Sequence, residues 1–228
     1  MKETTQIAPT NSFKMIKAMA LIGILCGLLI VLTYEGTLAR IADLKEKALQ
    51  EAIFKVLPGS TQTQAFSYNK SSFDIASKGD QNLVYAGYDE NGELIGLAIV
   101  ASGQGYADVI RVLYGYSIDN QKIIGFYVLE SKETPGLGDK IEKDPSFLSN
   151  FEALDASLNE AKSAIQNKIV TVKKGEKVNE WEIDGITGAT ISSRAIGDII
   201  GKSTQKWIPI IYKNQSVFKK YRNEQSQQ

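Results

Sequence analysis

The longest apolar segment of the chain covers residues 15–34, MIKAMALIGILCGLLIVLTY, in which Lys17 is the one charged residue. A helix of twenty residues rises about 30 Å, the thickness of a bilayer's hydrocarbon core. Lys17 lies near its start, from where the side chain can extend to the headgroups. A cleaved signal peptide is the alternative, but no A-x-A site follows the segment. The pattern favours a retained single transmembrane helix behind a polar tail at residues 1–14.

A second helical pattern follows in residues 35–59, where Pro58-Gly59 marks the end. We expect this connecting amphipathic helix to leave the membrane and pack on a domain. Its apolar positions, three or four residues apart, are Leu38, Ile41, Leu44, Ala48, Ala52 and Val56.

The middle of the chain has the pattern of successive β-strands. After a polar segment at 60–82, expected to be a loop, LVYAGYDENGELIGLAIVASG predicts two strands joined by a turn at Asn91-Gly92. The runs VIRVLYGYSID and KIIGFYVLES predict two more. Four strands with short turns between them predict an antiparallel sheet.

Helical patterns return after the strands. We predict short helices near 145–151 and at 156–166, then a strand pair in KIVTVKKG and NEWEIDGI. A final helix from Ile191 has Ala195, Ile196, Ile199 and Ile200 on one face. The predicted class is α+β, with the domain at residues 60–212 and a polar tail at 213–228.

Composition excludes several functions. The formal net charge is zero, which gives no global basic field for nucleic acid. The chain has no histidine, so a Ser-His-Asp triad cannot form, and no metal site is expected. Its one cysteine, Cys26, lies in the apolar segment, which rules out a disulfide or an iron–sulfur cluster held by this chain alone.

Two glycine-containing stretches fail the tests for nucleotide-binding loops. Gly201-Lys202-Ser203 has isoleucine, Ile196, where a P-loop needs its first glycine. The stretch GQGYAD, from Gly103, has Asp108 in place of the third glycine of a dinucleotide fingerprint.

The stretch DGITGATISSRA, residues 184–195, places hydroxyl groups around a Gly-Ala pair at the start of the last predicted helix. The N–H groups and positive end of a helix favour an anion, so this corner suits a phosphate beside a threonine hydroxyl. The simpler interpretation is that Thr190, Ser192 or Ser193 caps the helix. Spacing alone leaves both open.

The same stretch resembles the D-x-x-[ST]-G-A-T-x-[ST]-x-x-[AV] flavinylation motif of FMN-binding-domain proteins. The resemblance implies that Thr190 carries FMN through a phosphoester bond, which a separate flavin transferase makes from FAD. We therefore expect the motif residues, apart from Ala195, to bind the cofactor. The positions that match the motif are Asp184, Thr187, Gly188, Ala189, Thr190, Ser192 and Ala195.

A second stretch, ESKETPGLGDKI, resembles a segment of the G subunit of Rnf complexes and of the C subunit of the sodium-pumping NADH:quinone oxidoreductase. Its glycines allow close approach of backbone to a flat ring. Leu137 is expected to cover one ring face, Thr134 to bond the ring edge, and Lys140 to favour anionic reduced flavin. Tyr106, in the loop at 102–108, is a further candidate. The residues implied in cofactor binding here are Glu133, Thr134, Gly136, Leu137 and Lys140.

The resemblance covers nearly all of residues 15–212 and is greater to Rnf-type G subunits. It implies a membrane-anchored electron relay with no catalytic residue of its own, in a complex that couples ferredoxin oxidation and NAD⁺ reduction to Na⁺ or H⁺ translocation. The expected partners are the complex's membrane and iron–sulfur subunits. We expect a cytoplasmic N-terminus and an extracytoplasmic domain. A flavinylated subunit of another respiratory complex and an anchored binding domain remain alternatives.

Overall fold

In the computed structural model, which describes residues 12–69 and 71–219, the N-terminal segment is one continuous helix. Helix α1 runs Ser12–Val56, with no break at the predicted boundary between residues 34 and 35. The chain divides into two units after Lys47. The first contains an apolar helical segment that is long enough to cross a membrane. The predicted domain boundaries stay predictions, and residues 1–11 and 220–228 of the two predicted tails lie outside the described residues.

The second unit is built on a seven-stranded antiparallel sheet. The strands are β1 (Gln62–Asn69), β2 (Ser72–Ile75), β3 (Leu83–Tyr88), β4 (Leu94–Gln104), β5 (Val109–Ser117), β6 (Lys122–Glu130) and β7 (Leu154–Asp155). Their order is β2-β1-β3-β4-β5-β6-β7. The four predicted strands are β3 to β6, so the predicted antiparallel sheet is confirmed, with three further strands at its edges.

The remaining elements include helix α2 (Pro145–Leu148), strands β8 (Val170–Val172) and β9 (Glu182–Asp184), and helix α3 (Thr190–Lys213). Strands β8 and β9 pair with each other in parallel. Short 3-10 turns cover Gly138–Glu142, Ser149–Phe151 and Gln215–Val217.

One face of the sheet packs against α3. The predicted apolar face of this helix is buried, including Ile196 and Ile200, which have no exposed surface. Because Gly197 and Gly201 have no side chains, α3 lies close to Thr171 in β8 and to Ile169 just before it. Trp207 packs edge-on against Tyr68. This packing fixes the start of α3 next to the ends of β4, β6 and β9.

The opposite face of the sheet packs against the end of α1. Ala52, Ile53 and Val56 are fully buried there, together with Leu57. Burial of these apolar side chains stabilises the second unit. The earlier apolar positions of the predicted amphipathic face, Leu38, Ile41 and Leu44, are exposed.

The loop predicted at 60–82 is wrong, because strands β1 and β2 lie within it. Strand β1 pairs with β3 over six residue pairs, and Phe66 enters the core. Polar residues fill the strand, and two of them, Gln64 and Ser67, are also buried. Pairing with β3 therefore decides this strand, since its own composition is atypical for one.

The helix predicted at 156–166 is also wrong. Leu158 forms an isolated bridge with Ile165, and Lys162 has a φ of 54°. The side chain of Asn159 accepts a hydrogen bond from the N–H of Ser163 at 3.0 Å. A side chain that binds nearby backbone in this way competes with helical hydrogen bonds, so the segment folds as a loop.

Candidate functional site

The corner at residues 184–190 is held by a serine that points back from the helix. The hydroxyl of Ser193 accepts a hydrogen bond from the N–H of Ile186 at 3.1 Å and donates one to the carbonyl of Ala189 at 2.9 Å. Gly188 has a φ of 83°, which glycine adopts without strain. The chain thereby turns from β9 into α3 within five residues.

No side chain caps the start of α3 in the described structure. Ala189 occupies the N-cap position, and its methyl group cannot accept a hydrogen bond. The interpretation that Thr190, Ser192 or Ser193 is the cap is therefore wrong. The first N–H groups of a helix have no partner within it, so those of α3 are left for another acceptor.

Thr190 lies where two cavities meet. It is the first residue of α3, its side chain is exposed, and it lines both cavities. A group bonded to its Oγ would adjoin both of them.

The first cavity, which we call the cleft, has a volume of about 360 Å³. Its exposed apolar residues are Tyr106, Leu137 and Ile191, with exposed fractions of 65%, 52% and 57%. Exposed apolar groups gathered around a cleft are typical of a ligand site. The lining residues are Tyr106, Glu133, Thr134, Leu137, Gly138, Gly188, Ala189, Thr190, Ile191 and Ser192.

The floor of the cleft depends on the carboxylate of Glu133, which is 5% exposed. Its Oε1 accepts hydrogen bonds from the N–H groups of Tyr106 at 2.9 Å and Ala107 at 3.0 Å. Its Oε2 accepts one from the hydroxyl of Ser192. One side chain thus fastens the loop after β4, the segment after β6 and the first turn of α3. We call this arrangement the Glu133 clamp.

The loop over the cleft has a second fastening, at its exposed side. The ammonium of Lys132 donates a hydrogen bond to Asp108 at 2.6 Å. This bond, followed by one from the N–H of Val109, lowers the pKa of the Asp108 carboxyl below its ordinary value. The hydrogen bond to Asp108 also raises the pKa of the Lys132 ammonium above its ordinary value.

Seven of the predicted cofactor residues line the cleft, and four do not. Those that do are Glu133, Thr134, Leu137, Gly188, Ala189, Thr190 and Ser192. Thr187 lines the other cavity, while Gly136 and Lys140 are absent from both linings. Asp184 is also absent: its Oδ1 accepts a hydrogen bond from the N–H of Gly175 at 2.6 Å. The contacts of all eleven residues with a cofactor stay predictions.

The second cavity, which we call the basic cavity, has a volume of about 290 Å³ and lies between the turn after β8 and the corner. It is lined by Thr171, Val172, Lys173, Lys174, Glu176, Gly185, Ile186, Thr187, Thr190 and Ser193.

The sequence reasoning missed several of these positions. Ile191 lies inside the flavinylation motif at an unspecified position, so the motif gave no signal for it. Gly138 lies in the second stretch and packs against Glu133. A Cβ at this position would be 2.6 Å from Oε2 of Glu133, which is too close, so a residue with a side chain does not fit. Lys173 and Lys174 form a basic pair next to Gly175, and this signal was available in the predicted strand stretch KIVTVKKG.

Comparison with known proteins gives the family. A family model described as FMN-binding domain matches residues 105–205. The G subunit of an ion-translocating oxidoreductase complex from Methanosarcina acetivorans is 30% identical over 190 residues, which is 82% of this chain and 89% of the relative. The G subunit of a Na⁺-translocating ferredoxin:NAD⁺ oxidoreductase complex from Acetobacterium woodii is 30% identical over 221 residues, 94% of this chain and 98% of that protein.

A solved structure supports the fold. The C subunit of the Na⁺-translocating NADH-quinone reductase from Parabacteroides distasonis superposes with a TM-score of 0.57, at 16% identity, over 76% of this chain and 96% of that chain. The predicted α+β class, with an N-terminal apolar helix and an antiparallel-sheet domain, is confirmed. On the identity and coverage of its relatives, the chain belongs to the family of G subunits of ion-translocating oxidoreductase complexes.

Proposed function

We propose that the chain is the G subunit of an Rnf-type ferredoxin:NAD⁺ oxidoreductase and carries FMN covalently on Thr190. The observation that carries the proposal is the position of Thr190. Its exposed side chain begins an uncapped helix and adjoins the cleft and the basic cavity at once.

The residues of the site fit an FMN group. Leu137 and Ile191 offer apolar surface for a flat ring, and the uncapped N–H groups of α3 favour a phosphate. The space where a side chain of residue 188 would lie is empty, because Gly188 has none and no other atom is within 4 Å of it. The cleft is therefore open beside Thr190. When bound, FMN supplies one- and two-electron redox chemistry, while the chain holds it in place and shields it from water.

Attachment requires a phosphoryl transfer that a separate flavin transferase catalyses. The Oγ of Thr190 forms a bond to the flavin-side phosphorus of FAD, and the phosphoanhydride bond breaks. AMP leaves, and the hydroxyl proton passes to a base. No histidine exists in the chain to act as that base, which fits a reaction in which the transferase supplies the catalytic groups.

Replacement of Thr190 tests the attachment site. We expect Thr190→Ala, co-expressed with a flavin transferase, to show no flavin fluorescence in a denaturing gel, because alanine has no oxygen for the ester. Thr61→Ala, which removes an exposed threonine outside both cavities, is the matched control and should fluoresce fully. A fluorescent Thr190→Ala band would place the flavin on another residue and overturn the proposal.

We propose that the chain passes electrons between neighbouring subunits of the complex, where its partners include membrane and iron–sulfur subunits. The 30% identity to G subunits supports this role over one in the NADH:quinone reductase, whose C subunit is similar at the level of fold. A plain binding domain with a capping threonine is disfavoured, since Thr190 makes no cap.

The long apolar helix within α1 supports membrane anchoring. We propose that the N-terminus is cytoplasmic and the domain extracytoplasmic. Covalent attachment suits that side, because FMN released there would be lost by dilution. Activity of alkaline phosphatase fused to the C-terminus tests the orientation, and an inactive but expressed fusion would contradict it.

A further inference from the structure

The two cavities that Thr190 adjoins carry opposite formal charge. Among the residues that line the basic cavity, Lys173 and Lys174 face one carboxylate, Glu176, which leaves one positive charge. The one charged residue that lines the cleft is Glu133. A negatively charged group attached to Thr190 is therefore repelled on one side and attracted on the other.

The turn that carries the two lysines is fixed in place. The N–H of Gly175 donates a hydrogen bond to Asp184 Oδ1 at 2.6 Å, and the ammonium of Lys174 binds the hydroxyl of Ser146. The lysines thus belong to a turn that is bonded to β9, the strand that leads into the corner.

Each lysine has an acidic neighbour, but neither ammonium donates a hydrogen bond to that neighbour. The ammonium of Lys174 lies 3.7 Å from Asp184 Oδ2, and that of Lys173 lies 3.8 Å from Glu176 Oε1. Both distances exceed hydrogen-bond length, so both ammonium groups retain donors for another acceptor.

We propose that Lys173 and Lys174 form the phosphate subsite of the attached flavin, so that the phosphodiester lies on the basic side of Thr190 and the ring in the cleft. The inference rests on the proposed attachment to Thr190. A phosphodiester carries one negative charge, which the two ammonium groups attract. Charge-assisted bonds from ammonium groups to phosphate oxygens are strong, so the subsite holds the phosphate on one side of Thr190.

The test uses the full chain in detergent, produced without a flavin transferase so that Thr190 is free. Riboflavin has the same ring as FMN but no phosphate. We expect FMN to bind the unmodified chain about tenfold more tightly than riboflavin. In the double variant Lys173→Gln/Lys174→Gln, most of the preference for FMN should be lost and only the part due to the N–H groups of α3 should remain, while riboflavin affinity stays unchanged. Lys78→Gln removes an exposed lysine on a distant loop and should change neither.

Two outcomes of this titration would contradict the proposal. A double variant that retains the full tenfold preference for FMN overturns it. A variant in which both affinities fall together also overturns it, because the lysines then support the cleft and not the phosphate.

A second measurement uses the flavin-loaded chain and applies even where the free flavins bind too weakly to titrate. We compare the ³¹P resonance of the flavin-loaded wild-type chain with that of the flavin-loaded double variant. In the double variant the resonance should be shifted and narrower, because the phosphodiester has lost its partners and is mobile. An unchanged resonance overturns the phosphate subsite and leaves the proposed function standing. A wild-type chain that takes no flavin from a competent transferase overturns the proposed function itself.

Discussion

The cleft and the basic cavity share Thr190, yet their walls are held together in different ways. The cleft depends on the Glu133 clamp, whose hydrogen bonds join residues 26 to 59 positions apart in the chain. The turn that borders the basic cavity depends on the hydroxyl of Ser193, whose bonds reach four and seven positions back. One cavity is therefore a product of tertiary packing, and the other borders a locally specified turn.

This difference has a functional consequence. A turn that folds from its own residues presents Thr190 in nearly the same way whatever the surrounding segments do. The cleft, by contrast, forms only when three segments come together around one carboxylate. We infer that the attachment corner tolerates changes elsewhere in the domain better than the ring-binding cleft does.

The largest effect on stability is expected from Glu133→Ala. The variant leaves the N–H groups of Tyr106 and Ala107 without their acceptor and empties a buried position, which should lower the free energy of unfolding by about 2–3 kcal/mol. Urea denaturation followed by tryptophan fluorescence measures this, because Trp207 is buried in the core.

The matched control for the clamp is Glu133→Gln. Its amide oxygen can accept the same two N–H bonds, and its NH₂ can donate to Ser192, so less than half of the loss is expected. If Glu133→Ala is as stable as the wild type, the clamp does not hold the cleft together and the contrast drawn above fails.

A smaller effect is expected from Ser193→Ala. The hydroxyl is fully buried, and its loss leaves the N–H of Ile186 unsatisfied, which should cost about 1–2 kcal/mol. The same denaturation experiment measures it. The change should also lower the yield of attached flavin, because the turn that presents Thr190 loosens. Full flavin loading together with a large loss of stability would show that Ser193 supports the core and not the corner.

The smallest effect is expected from pH, at the exposed side of the cleft. Lys132 lowers the pKa of Asp108 in the folded state. The pair therefore stabilises the loop fully at pH values above 3.8, the ordinary pKa of Asp. The contribution is lost as the pH falls from that value through the lowered pKa. The protection of the amides of residues 105–108, measured as their exchange relative to the intrinsic rate at the same pH, should therefore fall at acid pH in the wild type. Asp108→Asn, in which the loop is already loose, should show no such acid-dependent change, and identical profiles would contradict the assignment.

The sequence was sufficient where local patterns specify structure. The turn at Asn91-Gly92 between β3 and β4, the apolar face of α3, and the corner after β9 all follow from residues close together in the chain. Strand β1 could not be predicted, because its polar residues become a strand only by pairing with β3. The helix expected at 156–166 failed because Asn159 supplies a competing local hydrogen bond.

In the candidate site, too, features encoded by neighbouring residues were predicted and long-range contacts were not. The motif at 184–195 identified Thr190 as the residue that adjoins both cavities, since a helix start and its turn are encoded within twelve residues. Glu133 was recognised as part of the site, but its bonds to Tyr106 and Ser192 were not, because they join segments whose proximity only the sheet and α3 determine. The sequence by itself determined the membrane-length helix, the strand-rich middle and the corner that carries Thr190. The tertiary structure decided which carboxylate closes the cleft and which lysines lie beside Thr190, because long-range contacts form only after the core has brought distant segments together.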